Sequence, residues 1–242
     1  MGKTSLVLGF MIVILLVVST GLVAATHTVG ASGYDFTSIQ AAINDAGTVN
    51  GDIIDVYGTI TEAGIVVNKS LTIQGQGVSS TIVQAHATAG NATDRVFLIT
   101  SGTVTLSNMA IQNGRVPSTE YGGGGIKIDG ATSITFNNCD ILNNQYVTYG
   151  RGGGIYSGDY SEPTYIEING CTISNNTVNL EGGGICFDGS NISSVIKNST
   201  INENEAGDYG GGIVYGSGNH ELINSTIFAN VLVDGQFTGG GG

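Results

Sequence analysis

The sequence contains no tryptophan, only two prolines and three cysteines, and few basic residues. Seven Lys and Arg stand against 19 Asp and Glu, giving a formal net charge of −12. The basic residues form no cluster, which argues against nucleic acid or an anionic membrane surface as a partner. The three cysteines, Cys139, Cys171 and Cys186, are too few and odd in number for a disulfide framework, and none belongs to a CxxC pair, so structural zinc is not indicated.

Glycine is abundant instead, with 40 residues, and Asn, Thr, Ser and Ile are frequent. The glycines follow no G-X-Y period, which excludes a collagen triple helix. The many β-branched residues argue against disorder, because they can bury enough apolar surface to fold. The composition therefore indicates an ordered chain rich in turns and strands.

The first residues have the features of an export signal. Lys3 supplies the positive end, residues 6–18 form an apolar run, and Val23-Ala24-Ala25 offers a small-residue cleavage site. We therefore expect a signal peptide at residues 1–25 and a mature domain at residues 26–242. An uncleaved anchor is the alternative, but a run of about 13 residues is short against the roughly 20 of a spanning helix.

A run of glycines followed by isoleucine recurs along the second half of the chain. The isoleucines are Ile126, Ile155, Ile185 and Ile213, at spacings of 29, 30 and 28 residues. Regular repeats therefore occupy residues 122–242, and because residues 239–242 begin a further copy, we expect the chain to stop inside a repeat. A phosphate-binding glycine loop is the rival interpretation, but no GK[ST] follows the glycines.

A second motif follows each glycine run and predicts columns of stacked side chains. An apolar column should contain Ile111, Ile141, Ile173, Ile201 and Ile227, and beside it a second should contain Met109, Cys139, Cys171, Ser199 and Ser225. Cys186 follows the inward Ile185, so we expect it to face outward and to react faster with thiol reagents than the other two cysteines. An asparagine occurs three residues after most of the column isoleucines; these residues are Asn144, Asn176, Asn204 and Asn230. Asparagine tolerates left-handed backbone and can hydrogen-bond to its neighbours on the coils above and below, so we expect the asparagine columns to hold the turns.

Apolar and polar residues alternate within each copy, which is the period of a half-buried strand. Each copy therefore holds about three short strands. Strands joined by Asn and Gly turns and repeated every 29 residues or so predict an all-β solenoid in which each coil stacks on the next. Residues 50–115 form the irregular first coils. Residues 34–46 have helical spacing with Asp35 as N-cap, and a helix there would cover the open end of the solenoid.

The order of these motifs resembles a known superfamily. A helix is followed by GDIIDV at residues 51–56, KSLTIQG at residues 69–75, and then the GGGI and N(S/C)TIxxN repeats. This order resembles the pectin-lyase-like superfamily over residues 27–242, and the repeats are similar to those of polymorphic outer-membrane proteins and adhesin-like surface proteins. The resemblance implies a right-handed, single-stranded parallel β-helix. It leaves function open, because the superfamily mixes polysaccharide lyases, hydrolases and esterases with non-enzymes.

No catalytic or cofactor-binding residue can be assigned. Lyases of the superfamily need calcium held by acids together with an arginine, and the weak candidates for a calcium column are Asp129, Asp159 and Asp188, with Arg151 nearby. Solvated turn acids are the alternative interpretation. The three histidines match no metal-ligand spacing. We therefore expect no cleavage of pectate.

Two further groups of residues are candidate surface sites. Five tyrosines are concentrated in one coil region and would form a glycan-stacking surface if they share a face: Tyr146, Tyr149, Tyr156, Tyr160 and Tyr165. Sequons at Asn68, Asn91, Asn175 and Asn191 could accept glycans in an exported protein. The sequons at Asn198 and Asn224 arise from the repeat itself, so a structural role is favoured there.

The leading functional hypothesis is a non-catalytic secreted or cell-surface module for adhesion, glycan binding or structural display. Its partners would be a carbohydrate or a cell-surface protein, and the full-length protein would be anchored in an outer membrane or cell wall. The alternative is a polysaccharide-active enzyme whose site lies partly in further coils. A structural spacer that holds another domain away from the membrane is the third hypothesis.

Overall fold

The computed structural model describes residues 23–117, 122–158 and 164–233. Residues 1–22 of the expected signal peptide lie outside these ranges. Within the described ranges, no helix is long and apolar enough to cross a membrane.

The described chain forms one short helix, α1 (Ile39–Asn44), and a succession of short strands. In chain order the strands are β1 (Thr26–Val29), β2 (Ile53–Val56), β3 (Gly58–Thr61), β4 (Ile65–Val67), β5 (Thr72–Gln74), β6 (Thr81–Gln84), β7 (Phe97–Ile99), β8 (Thr103–Ser107), β9 (Ala110–Gln112), β10 (Arg115–Val116), β11 (Ile126–Ile128), β12 (Ser133–Asn137), β13 (Asp140–Leu142), β14 (Gln145–Tyr146), β15 (Ile155–Ser157), β16 (Thr164–Asn169), β17 (Thr172–Ser174), β18 (Thr177–Val178), β19 (Ile185–Phe187), β20 (Ile192–Lys197), β21 (Thr200–Asn202), β22 (Glu205–Ala206), β23 (Ile213–Tyr215), β24 (Gly218–Ile223), β25 (Thr226–Phe228) and β26 (Val231–Leu232).

These strands stack into four parallel sheets that run along the length of the molecule. Sheet A is β1-β2-β5-β8-β12-β16-β20-β24, sheet B is β3-β6-β9-β13-β17-β21-β25, sheet C is β4-β7-β11-β15-β19-β23, and sheet D is β10-β14-β18-β22-β26. A regular coil passes through sheets C, A, B and D in turn, as β11 to β14 do. The fold is an all-β right-handed parallel solenoid of about seven turns with about 28 residues each, so the predicted fold class is confirmed.

The register confirms the predicted apolar column. Ile141 pairs with Ile111 on one side and Ile173 on the other, and Ile201 continues the column to Ile227. The first four of these isoleucines are fully buried, while Ile227 is partly buried in the last described coil. Each strand presents alternate residues to one continuous core, because neighbouring side chains of a strand point to opposite faces.

The asparagine column is a buried hydrogen-bond ladder. The Oδ1 of Asn204 accepts from the backbone N and from the Nδ2 of Asn176, at 3.0 and 2.9 Å. The Nδ2 of Asn204 donates to the carbonyl of Ile173 and to the Oδ1 of Asn230, both at 2.9 Å. Asn144 and Asn176 repeat this pattern one coil earlier. Each rung therefore satisfies the polar groups of its own coil and of the neighbouring coil.

The expected hydrogen bonds between asparagines of neighbouring coils are confirmed, but these asparagines do not themselves adopt left-handed backbone. Positive φ belongs to the preceding residue, as at Asn143 (φ 56°) and Asn175 (φ 54°), and to the corner between sheets A and B, as at Asn138 (φ 50°). The physical reason is that the ladder asparagine must point its amide into the core. The residue before it therefore makes the turn.

The glycine runs allow two backbones to touch. A Cβ on Gly153 would lie 2.8 Å from the backbone N of Thr177 in sheet D. Gly152 and Gly182 begin their runs with φ of 66° and 68°, a conformation that favours glycine. A side chain at Gly153 would therefore separate sheet D from the chain that returns to sheet C.

The predicted capping helix is present but shorter than expected. Its N-cap is Ser38, so the assignment of Asp35 as N-cap is wrong; the Asp35 carboxylate instead accepts hydrogen bonds from Thr28. Ile39, Ala42 and Ile43 are buried against the first coils, and Lys69 Nζ donates to the carbonyl of Ile43 at the other end of the helix. The helix therefore covers the core at the first coil.

We expect Asn204→Ala to lower the free energy of unfolding by about 3 kcal/mol, because it leaves buried polar groups of Asn176 and Ile173 without a partner. Asn202→Ala is the matched control, since Asn202 lies in the same coil but is only half-buried. It should cost less than about 0.5 kcal/mol. Urea unfolding of both variants measures the difference, and equal losses would show that the ladder adds no stability.

Candidate functional site

The outer face of sheet A presents columns of small polar side chains. Thr72, Thr105 and Thr135 lie in register on successive coils. Beside them, Thr103 pairs with Ser133. A shallow groove of about 290 Å³ opens on this face, and it is lined by Gly51, Ser70, Leu71, Thr72, Thr103 and Thr105. Adjacent coils repeat the same hydroxyl at the interstrand spacing of about 4.8 Å.

The polar character of sheet A continues along its length. Gln74, Ser107, Asn137 and Asn169 form a second column beside the threonines. The Nδ2 of Asn169 donates to the Oδ1 of Asn137 at 3.4 Å. The face is therefore rich in neutral donors and acceptors.

Charge on this face is partly compensated. Lys197 and Glu167 form an ion pair at 2.7 Å, and the hydrogen bond that Lys197 donates to Glu167 raises the pKa of Lys197. Asp55 accepts a hydrogen bond from Gln74 at 2.6 Å. These acids already have polar partners on the face.

The outer face of sheet C carries a different group of residues. The chain ahead of each glycine run folds back here, and Arg151 forms a parallel bridge with Glu181, which bridges Tyr209 in turn. The Nε of Arg151 lies 3.3 Å from a carboxylate oxygen of Glu181, and its guanidinium also bonds Asp188. Burial acts to lower the pKa of Arg151, but Glu181 and Asp188 outweigh it, so that the pKa is raised.

The proposed calcium column is not assembled by its two described members. Asp129 forms an ion pair with Lys127 at 2.9 Å. Asp188 lies two coils further along than Asp129 and forms its ion pair with Arg151. Asp159 lies outside the described residues. In the described part of the chain, no three His, Cys, Asp or Glu residues gather as a metal site would require. Calcium binding through Asp159 stays a prediction.

The five tyrosines do not form one stacking surface. Tyr146 is fully buried in a small cluster with Val116 and Val178, and Tyr156 is only 5% exposed. The turns at Gly122, Gly152 and Gly158 lie against Tyr156, and the loop that contains Gly150 covers Tyr146. Tyr149 and Tyr165 are exposed, one in that loop and the other on the outer face of sheet A. Tyr160 lies outside the described residues.

The sequons are on the surface. Asn68, Asn91, Asn175 and Asn191 are all exposed, and their glycosylation stays a prediction. At the sheet A–B corner, the Nδ2 of Asn224 donates to Asn198 at 2.8 Å, and the Nδ2 of Asn198 donates to Asn169 at 3.1 Å. This amide ladder supports the structural interpretation of the last two sequons.

Sequence reasoning missed a polar pair that points into the coil. Ser194 Oγ lies 2.9 Å from His220 Nδ1, and the ring of Tyr215 stacks on His220 with centroids 4.3 Å apart. Burial lowers the pKa of His220 and raises the pKa of Tyr215 to about 12. The alternation of inward and outward residues along a strand could have revealed this pair, because His220 is two residues before Leu222 in the same strand and therefore faces the same side.

Cys186 corrects a further expectation. It alternates with Ile185 and Phe187 and so points to the outer side of sheet C, as the register predicts. It is nevertheless 0% exposed, because the turn at Gly182 lies directly over it. Burial raises the pKa of the Cys186 thiol. The outward direction of Cys186 is therefore confirmed, but its burial removes the reason to expect that it reacts fastest.

The stacked coils, the inward columns and the outward polar ladders define a right-handed parallel β-helix. The chain belongs to the family described as right handed beta helix region, whose model matches residues 45–228. No curated protein matches the sequence.

Two solved structures of pectin methylesterase from Aspergillus niger are similar to the chain. The deglycosylated form has 13% identity and a TM-score of 0.45, and the comparison covers 90% of each chain. The penultimately deglycosylated form has 13% identity and a TM-score of 0.44, with the same coverage. Similarity at this level carries no argument about activity.

We expect all three cysteines of the reduced, folded protein to react slowly with a thiol reagent, because all three are buried. Cys186 should react no faster than Cys139 or Cys171. Mass spectrometry after timed alkylation measures each rate, with urea-unfolded protein as the control in which all three react quickly. Fast, selective modification of Cys186 would contradict the buried placement.

Proposed function

We propose that this chain is a non-catalytic β-helix module that binds a neutral glycan along the outer face of sheet A. The observation that carries the proposal is the set of in-register polar columns on that face, in which Thr72, Thr105 and Thr135 repeat one hydroxyl on three coils. Sugar hydroxyls both donate and accept hydrogen bonds, and so do threonine and serine hydroxyls.

A chain-like ligand suits a repeating surface. Each coil offers similar groups one interstrand spacing further along, so contacts that are weak singly can add along an extended ligand. The shallow groove beside Ser70 and Thr103 marks where such a chain would lie. Tyr165, which is 41% exposed on the same sheet, offers an aromatic ring for stacking against a sugar.

The charge of the protein favours a neutral ligand. A formal net charge of −12 repels a polyuronate. On the sheet itself, Lys197 is already paired with Glu167 and is not free to attract an anion. A neutral polysaccharide therefore suits the face better than pectate.

The test replaces the three threonines together. The triple variant Thr72→Ala, Thr105→Ala and Thr135→Ala removes three hydroxyls from the face without changing the inward residues. We expect retention of the protein on neutral polysaccharides in affinity gel electrophoresis to fall at least about tenfold, since each lost hydrogen bond is worth roughly 0.5–1.5 kcal/mol.

The chain supplies a matched control on another face. Thr172, Thr200 and Thr226 also lie in register and outward, but on sheet B. Their triple alanine variant should retain wild-type binding. Equal losses in the two triple variants, or no binding of wild-type protein to any neutral polysaccharide, would overturn the proposal.

A polysaccharide-active enzyme is the second candidate, favoured by the cluster of Arg151, Glu181 and Asp188 on sheet C. Two carboxylates near one guanidinium could serve acid–base chemistry. Because Arg151 already bonds both acids, we expect no cleavage of pectate or neutral polysaccharide, with or without calcium. Lys127→Ala is the control, because Lys127 is also a basic residue that is paired with an acid on the same sheet. Polysaccharide cleavage that is lost in Arg151→Ala but kept in Lys127→Ala would show that the protein is an enzyme instead.

The proposed setting is outside the cell. The charge, apolar run and small residues of positions 1–25 support export, and the exposed sequons are compatible with it. A module of this kind would display its glycan-binding face while another part of the protein anchors it to an outer membrane or cell wall.

A further inference from the structure

Two of the three cysteines are stacked on each other inside the core. Cys139 and Cys171 occupy the same position on adjacent coils, immediately before the paired residues Asp140 and Thr172. Both are buried, at 0% and 2% exposure. The backbone N of Cys139 donates to the Sγ of Cys171 at 3.4 Å, so the Cys171 sulfur lies beside the Cys139 residue itself.

The backbone spacing suits a covalent link. The backbone N of Thr172 donates to the carbonyl of Cys139 at 3.0 Å, which fixes the two coils at the ordinary interstrand distance. That distance is about 4.8 Å, inside the range of about 4.4–6.8 Å between the Cα atoms of disulfide-bonded cysteines. Gly170, which precedes Cys171 at φ 65°, leaves the corner free of a side chain. To form the bond, the Cys139 Sγ must turn from the carbonyl of Leu106, which it contacts at 3.4 Å, toward the Cys171 sulfur.

From this placement we propose that Cys139 and Cys171 form an inter-coil disulfide when the chain folds in an oxidising environment, and that Cys186 remains a thiol. Cys186 is on the outer side of sheet C, separated from the pair by the core. The proposal does not depend on glycan binding, because it concerns only residues of the interior.

The oxidant is a small-molecule disulfide such as oxidised glutathione. One cysteine loses its proton, and its thiolate attacks a sulfur of the oxidant, which forms a mixed disulfide and releases one glutathione thiolate. The thiolate of the second cysteine then displaces the remaining glutathione and forms the Cys139–Cys171 bond. The two cysteines are oxidised by two electrons in all, and the oxidant is reduced to two thiols.

The bond should form before the coils close. In the folded protein, the hydrogen bond with Cys171 and burial together hold the pKa of the Cys139 thiol above its usual range. Both sulfurs are also closed to the oxidant, since Cys139 and Cys171 are buried, so folded, reduced protein should oxidise much more slowly than protein that refolds in the presence of the oxidant.

The experiment refolds urea-denatured, reduced protein in a glutathione redox buffer and counts free thiols after denaturing alkylation. We expect the count to fall from three to one per chain, with peptide mapping that links Cys139 to Cys171 and leaves Cys186 alkylated. Three free thiols in the refolded protein, or a link that contains Cys186, would overturn the proposal.

Two variants make the assignment specific. Cys186→Ser should give no free thiol and the same linked peptide, whereas Cys171→Ser should give two free thiols and no link. Serine fits the position, because Ser199 occupies the next place in the same column.

Stability provides a second readout. The bond closes a loop between positions 32 residues apart, which restricts the unfolded chain. Oxidation should therefore raise the urea midpoint of the wild-type protein and of Cys186→Ser, and leave that of Cys171→Ser unchanged. An equal rise in Cys171→Ser would overturn the assignment to this pair.

Discussion

Hydrogen bonding between equivalent positions of successive coils is the constraint on which the rest of the structure depends. A coil can stack on its neighbour only if its backbone has the same shape at the same place. The buried asparagine ladder enforces this, because Asn176 bonds to Asn204 through both its backbone N and its side-chain Nδ2. The glycine runs meet the same requirement from the other side, since they let sheet D approach the returning chain.

Stacking leaves the side chains on the outer faces of the sheets free to vary, and the outer faces of sheets A and C differ. Sheet A remains open and carries in-register hydroxyls and amides, which is why the proposed ligand lies there. Sheet C is covered by the chain ahead of the glycine runs, which places Arg151 and Glu181 over its strands. A face that is covered and internally paired offers less to a large ligand than a face that is open.

The same covering chain accounts for the failed expectations about Cys186 and the tyrosines. Alternation along a strand predicts whether a side chain points inward or outward, and it placed Cys186 correctly on the outer side of sheet C. It cannot predict that another part of the chain lies over that side. Tyr146 and Tyr156 were assigned to a surface for this reason, although both are buried under loops. Asp35 was assigned as the N-cap in place of Ser38, because the sequence does not show that its carboxylate bonds to Thr28 in a preceding strand.

The sequence by itself determined the repeat, the β-helix class, the inward columns and the neighbouring positions of Cys139 and Cys171. These follow from period and spacing, which are local properties copied from coil to coil. Only the tertiary structure decided which outer face is open, which acids are already paired, and which residue beside each ladder asparagine takes the left-handed backbone. Those features depend on contacts between residues that are about one coil apart or more in the sequence. The strand that carries a side chain sets the direction of that side chain, but the returning chain decides whether it is exposed to solvent.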